Sequence, residues 1–315
     1  MRIAIMGSGG VGGYFGAKLA KGGAEVVFIA RGAHLAAMRQ RGLAIEGPEP
    51  LALAKVDATD DPATVGPVDV VLFCVKLWDS ESAARSLAPM IAPKTTVISL
   101  QNGVQKDDIL RPLVGETAIM GGVAYMATTV SRPGVITQTG RFHRMIFGEY
   151  DGRPSERAAA LLAACQRGGI NAEISTDIRC AIWEKFVFLV GLSGSTSTMR
   201  KPLGRIRGNP RSRAFLFDLM RETVAVGRAL GVDLPEVYAQ SQLAFADTLP
   251  PDMTSSMQHD LERGRRLELG WLSGAVMALG EGAGVPTPAN RAVNDILILD
   301  ALGRDGPAGA TDGAR

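Results

Sequence analysis

Residues 1–23 read MRIAIMGSGGVGGYFGAKLAKGG, an apolar run, a glycine cluster and a helix-forming stretch in direct succession. No other feature limits the fold as tightly, because a strand, a Gly-x-Gly-x-x-Gly turn and a helix in that order form the opening of a dinucleotide-binding βαβ unit. Gly7 would allow the tight turn, Gly9 would let the backbone approach a diphosphate, and Gly12 would let the helix over 11–21 pack closely on the strand. The diphosphate would lie at the helix N-terminus, where unpaired N–H groups and the positive end of the dipole favour anions. The expected phosphate contacts are therefore Gly7, Ser8, Gly9, Gly10, Val11 and Gly12.

The rest of the chain extends this reading. Short β-rich runs over 3–6, 25–30, 68–75, 95–100 and 118–125 alternate with helical stretches, the rhythm of a parallel sheet. The run VDVVLFCV over 68–75 is almost wholly apolar, as a central strand covered on both faces must be. Residues 135–139 and 144–148 read as two further strands joined by a polar loop, with 170–175 closing this half. Beyond residue 176 strand signals vanish and helical periodicity takes over: helices are predicted over 177–190, 212–230, 236–249, 256–280 (the longest) and 290–302. The expected fold is thus α/β: an N-terminal Rossmann-type doubly wound parallel sheet (1–175), a C-terminal all-helical substrate and dimerisation domain (176–302), and a disordered tail (303–315) rich in Gly and Pro.

Composition excludes several classes. With 34 basic and 32 acidic residues the net charge is +2, which gives no electrostatic footprint for nucleic acid or an anionic membrane. No apolar stretch approaches the roughly 18 residues of a membrane helix. Cys74, Cys165 and Cys180 form no C-x-x-C pair, so neither a disulfide framework nor a zinc site is expected, and a reducing cytoplasm is the default compartment. The lack of clustered His, Cys or carboxylate ligands likewise predicts no metal. Phe215, Phe217 and Met220, spread around a predicted surface helix, raise the expectation of a homodimer.

Five charged or polar positions stand out. The second strand ends in Arg31 and no acid lies between Glu25 and Glu46, so an arginine for a 2′-phosphate replaces the usual carboxylate for a ribose 2′-OH, and NADP(H) is expected over NAD(H). Lys76 and Asn102 end the strands of 68–75 and 95–100, the carboxyl edge where such sheets bind ligands; each also fits a solvated strand end or a turn. Lys185 falls among Ala181, Ile182, Phe188 and Leu189 at helical spacing and is either snorkelling or functional. Glu268 is placed on the long helix with Met257, Leu261 and Gly264, either in an interhelical ion pair or in the site. His34, His143 and His259 are assigned to loops or their neighbourhood, which turns the search for a proton donor to lysine.

In chain order, GSGGVG, Arg31, Lys76, the QNG containing Asn102, the W-x-K containing Lys185, and SSM followed by Glu268 together resemble the ketopantoate reductase (2-dehydropantoate 2-reductase) family, from Met1 to about Leu299. The resemblance implies NADPH-dependent reduction of a small 2-oxo acid, ketopantoate to pantoate in coenzyme A biosynthesis, with Lys185 as general acid and Glu268 as partner to lysine or substrate. It implies Asn102, Lys76 and Ser256 as polar contacts of the crevice, with Asn102 and Lys76 also near the cofactor. Three positions depart from the family pattern, which carries asparagines where Leu189, Ser193 and Leu203 stand here. That suggests a more apolar substrate, or a contact supplied by Ser193, Ser195 or Thr196. Two other readings remain: a paralogue acting on another oxo acid, oxo ester or imine, and a non-catalytic NADPH-binding regulator. Retaining both Lys185 and Glu268 on apolar faces argues against the regulator, since an unused buried charge is destabilising.

Overall fold

In the first strand, β1 (Arg2–Met6), alternate side chains enter two different cores: Ile3 and Ile5 join one, Ala4 and Met6 the other. The same division recurs in the strand Val70–Phe73, where Val70 and Leu72 lie opposite Val71 and Phe73. Period-2 side chains that are apolar on both faces require helices on both faces, which is why these strands read as continuous apolar runs. The chain is described here over residues 1–304 of a computed structural model.

The remaining elements follow in chain order: α1 (Gly10–Lys21), β2 (Glu25–Ile29), α2 (Gly32–Arg41), β3 (Leu43–Glu46), β4 (Leu51–Leu53), β5 (Asp57–Thr59), β6 (Val70–Phe73), α3 (Ser80–Arg85), β7 (Thr96–Ser99), α4 (Lys106–Val114), β8 (Ile119–Arg132), β9 (Val135–Gly148), α5 (Glu156–Arg167) and β10 (Asn171–Ile174). The sheet runs β4-β3-β9-β8-β7-β6-β1-β2-β5, with β10 beside β9. β1 pairs in parallel with both β2 and β6, so strand order reverses at β1 and the loop after it occupies the topological switch point. Residues of α1 and α5 cover one face and residues of α3 and α4 the other.

The expected parallel, doubly wound sheet is present, with two differences. Residues 135–139 and 144–148 are not two strands: β9 is continuous over 14 residues and antiparallel to β8, itself 14 residues long. Residues 140–143, read as a loop, lie within β9 where its register against β8 shifts between Met126 and Thr128. Three further strands, β3, β4 and β5, are only three or four residues long, too short for a pattern to show in the sequence, and are recruited by pairing with β9, β3 and β2.

The helical elements are α6 (Ile178–Met199), α7 (Leu203–Arg207), α8 (Pro210–Ala229), α9 (Tyr238–Thr248), α10 (Ser256–Glu262), α11 (Ser273–Ala283) and α12 (Pro288–Leu297). Two compact units partition the chain: residues 1–101 with 105–181, and residues 102–104 with 182 onward. In the second unit α6 and α8 approach closely through small residues: a Cβ on Gly191 would lie 2.7 Å from Met220 Cγ, and one on Gly227 2.8 Å from Trp183 Cε3. Met220, read as a surface residue, is fully buried there. The buried carboxylate of Glu222 accepts from the amides of Ala289 and Asn290 at 2.8 and 2.9 Å, so an internal anion caps α12.

The helix expected over 256–280 is broken. α10 stops at Glu262, Gly264 takes φ +64°, and a 3-10 turn at Leu269–Trp271 precedes α11. The break is held from the C-terminal side, since Leu267 N–H donates to Ala301 O at 2.9 Å and Arg304 N–H to Gly264 O at 2.9 Å. α6, at 22 residues, is the longest helix. Of the expected disordered tail, residues 305–315 lie outside the described residues, while Gly303 and Arg304 are placed by backbone bonds to Asp300 and Gly264. Among the described residues no helix is long and apolar enough to cross a membrane.

Candidate active site

The glycine loop follows β1 at the switch point. Gly7 has φ +96°, and a Cβ there would lie 2.7 Å from the Val75 amide nitrogen, so both the turn and the approach to the segment after β6 demand glycine. A Cβ on Gly12 would run into the Gly7 carbonyl oxygen and lie 2.8 Å from Ile5 Cγ2, which is how α1 can start directly against β1. At Gly9 a Cβ would meet nothing within 4 Å. No side chain caps α1 and no acid lies in its first turn, so its leading amides, including those of Gly10 and Val11, keep the arrangement that suits an anion. This open glycine cradle at a bare helix N-terminus fits the diphosphate of a dinucleotide.

Ser8 is buried, and its N–H and hydroxyl both donate to Ile29 O, at 2.9 and 3.0 Å, tying the loop to the end of β2. Arg31 follows in extended conformation as the N-cap of α2, with its side chain exposed and paired to nothing among the described residues. Lys76 directly follows Val75, is exposed, and stands over the Trp78 ring at 5.4 Å.

The second unit brings together three residues widely separated in sequence. Lys185 is partly buried on α6, and its Nζ donates to Asn102 Oδ1 at 2.9 Å. Asn102 Nδ2 donates to Glu268 Oε2 at 3.4 Å. The amide is oriented by its partners, oxygen to the ammonium and nitrogen to the carboxylate, giving an ordered series of ammonium, amide and carboxylate. Glu268, 7% exposed, stands not on a long helix but as N-cap of the 3-10 turn after the break at Gly264. One amide thus bridges the Lys185 side chain and a buried carboxyl group. Such an arrangement can hold a proton donor, with one ammonium N–H fixed on Asn102.

The remaining expected contacts divide. Ser193 is on α6 two turns beyond Lys185, fully buried, with a hydroxyl that has no partner among the described residues. Ser256 is exposed at the start of α10, whereas its neighbour Ser255 is buried, caps α10 through Gln258 N–H at 3.0 Å and lies 2.8 Å from Thr196 Oγ1. Leu189 is partly buried, and Leu203 is in the core at the start of α7.

None of the three histidines is in a loop: His34 is in α2, His143 in β9 and His259 in α10. His34 had no signal beyond its position three residues after Arg31, yet its ring lies 2.9 Å from the Ser8 carbonyl oxygen and 3.0 Å from the Gly134 amide. Burial lowers its pKa from the ordinary histidine value, against the opposing hydrogen bond to Ser8. Among the described residues no cluster of His, Cys, Asp or Glu could hold a metal ion.

The chain has known relatives along nearly its whole length. Residues 3–152 match the family described as Ketopantoate reductase PanE/ApbA, and residues 177–299 match its C-terminal part. A 2-dehydropantoate 2-reductase of Mesorhizobium japonicum is 31% identical over 314 residues, covering 93% of this chain and 95% of the relative. The crystal structure of a PanE/ApbA family ketopantoate reductase from Ralstonia eutropha JMP134 superposes with a TM-score of 0.87 at 36% identity, covering 96% of this chain and 98% of that one. A D-mandelate dehydrogenase solved with NADH and anilino(oxo)acetate, 21% identical, shares the fold with a TM-score of 0.86 over 96% of this chain and 98% of that one.

Proposed function

Since the chain belongs to the ketopantoate reductase family, and with it to the oxidoreductases, we propose that it reduces a 2-oxo acid to the 2-hydroxy acid with NADPH, 2-dehydropantoate to pantoate being the first reaction to try. The observation that carries the reading is the Lys185, Asn102, Glu268 series. When bound, the reduced nicotinamide supplies hydride to the 2-oxo carbon. Charge then builds on the oxo oxygen, where a positioned ammonium both stabilises it and delivers the proton. Lys185 is the donor in this scheme: its N–H bond breaks as the alkoxide O–H forms, and the amine regains a proton from solvent. Asn102 holds one of the three ammonium donors, and Glu268 holds Asn102. The glycine loop with Arg31 receives the nucleotide, its diphosphate on α1 and its 2′-phosphate on the guanidinium.

A second reading changes only the substrate. Leu189, one turn from Lys185, offers an apolar surface, and Ser193 is enclosed, which favours a 2-oxo acid with an apolar side chain. The fold does not decide between these readings, since it is shared with a D-mandelate dehydrogenase.

Following NADPH absorbance with 2-dehydropantoate and a panel of other 2-oxo acids tests both, with Lys185→Ala beside the native protein. The expected result is turnover that falls by about 10²–10⁴-fold in kcat in the variant. Turnover of another oxo acid alone, still dependent on Lys185, selects the second reading. Silence across the panel with NADPH bound leaves a nucleotide-binding regulator and sinks the reductase.

A further inference from the structure

The carbonyl of Ser8 lies inside the glycine loop, and the group that holds it comes from α2. We propose that His34 is a positioning residue for nucleotide binding: by holding the Ser8 carbonyl it sets the direction of the Gly9 amide that meets the diphosphate. The inference rests on reading this loop as the nucleotide site.

The chemistry of the two ring contacts determines how the imidazole works. A backbone N–H can only donate, so the Gly134 amide, 3.0 Å from Nδ1, requires that nitrogen to be an unprotonated acceptor. Nε2 then carries the hydrogen and donates to Ser8 O at 2.9 Å. Only the neutral Nε2–H tautomer satisfies both bonds, and burial favours the neutral form.

The peptide unit does the rest. A trans peptide is planar, with its C=O and N–H on opposite sides, so fixing the oxygen of Ser8 toward His34 fixes the N–H of Gly9 away from it. The N–H and hydroxyl of Ser8 anchor the residue itself to Ile29 O at 2.9 and 3.0 Å, which leaves the orientation of the peptide after it to the bond with His34. Next in the chain, Gly10 rests on β8, where a Cβ would lie 2.7 Å from Thr128 O. Gly134, the other partner of His34, sits in the turn between β8 and β9. One imidazole therefore joins the phosphate loop, the hairpin under it and the helix that starts at Arg31.

Two amide variants separate the bonds. His34→Gln can place an N–H donor near the position of Nε2, and His34→Asn can place only an acceptor near the position of Nδ1. Fluorescence titration with NADPH and NADH, with thermal midpoints and steady-state kinetics alongside, is expected to show His34→Gln within about 3-fold of the native Kd and His34→Asn weaker by tenfold or more for both nucleotides, roughly one buried hydrogen bond to an aligned donor. The loss should fall on nucleotide Kd and KM rather than kcat, with similar midpoints for the two variants. Equal affinities in the two variants, or a loss confined to the oxo-acid KM, overturns the proposal. If His34→Asn does not fold, the ¹⁵N spectrum of the native imidazole decides. It must show an unprotonated Nδ1 and a protonated Nε2, and the Gly9 amide signal must move on adding NADPH; the opposite tautomer or an unmoved Gly9 overturns the proposal. A native protein that binds neither nucleotide sinks the nucleotide-site reading itself, and the inference with it.

Discussion

Arg31 offers the sharpest test at the level of single side chains. Its guanidinium is exposed just after β2, where the proposed function calls for a charge-assisted pair with a 2′-phosphate. Arg31→Ala is expected to raise the Kd for NADPH by roughly tenfold to a hundredfold, 1.4–2.8 kcal/mol, while the Kd for NADH changes by less than about twofold. Parallel titrations check this, and equal weakening of both nucleotides would remove Arg31 from cofactor choice. Lys185 and Glu268 were visible in the sequence as charges among apolar neighbours. Asn102 was visible as a strand-end candidate at the ligand edge, but its place between them was not, because it meets Lys185 across 83 positions and Glu268 across 166. Periodicity reports on neighbours three or four residues away, and says nothing of partners so remote.

At the scale of elements, the joint between β1 and α1 separates packing from binding. Gly12→Ala drives a methyl into the Gly7 carbonyl and Ile5, and overpacking of that kind costs about 1–3 kcal/mol, read as a lower thermal midpoint. Gly9→Ala meets no protein atom, so its midpoint should stay within about 1 °C of native, under roughly 0.25 kcal/mol, while nucleotide affinity falls because the methyl enters the cradle. Calorimetry and titration on the two variants would show opposite patterns, and a stable Gly12→Ala would contradict the close strand–helix contact. The strands of the central sheet were legible because each is apolar on both faces. The helix expected over 256–280 was not interrupted in that reading, since its apolar residues keep a helical period across Gly264. Only the bonds from Ala301 and Arg304 to the 264–267 segment show why a left-handed residue is stable there.

For the molecule as a whole, acid should be the direction of weakness. His34 is half-buried and its pKa lies below the ordinary 6.5, so the unfolded chain binds more protons below that pH and stability falls as pH drops past it. Glu149 accepts from Arg157 Nε at 2.7 Å and Nη2 at 2.6 Å, which holds its pKa below the ordinary 4.5. Its contribution is complete above 4.5 and is lost as pH falls through the folded-state value. Thermal midpoints measured across pH should therefore be flat above about 7, decline from about 6.5, and decline further below about 4.5. His34→Gln should shrink the upper limb and Glu149→Gln the lower one; unchanged limbs would discount the two groups. The sequence by itself determined the class of the fold and the glycine turn after β1, because the glycine spacing and the two-faced apolar strands are short-range signals. Tertiary structure alone decided the strand order around β1, the interposition of Asn102 between Lys185 and Glu268, and the bond from His34 to the loop. Those contacts close long stretches of chain, and they form only when packing elsewhere offsets the entropy of closure, a balance that no local pattern records.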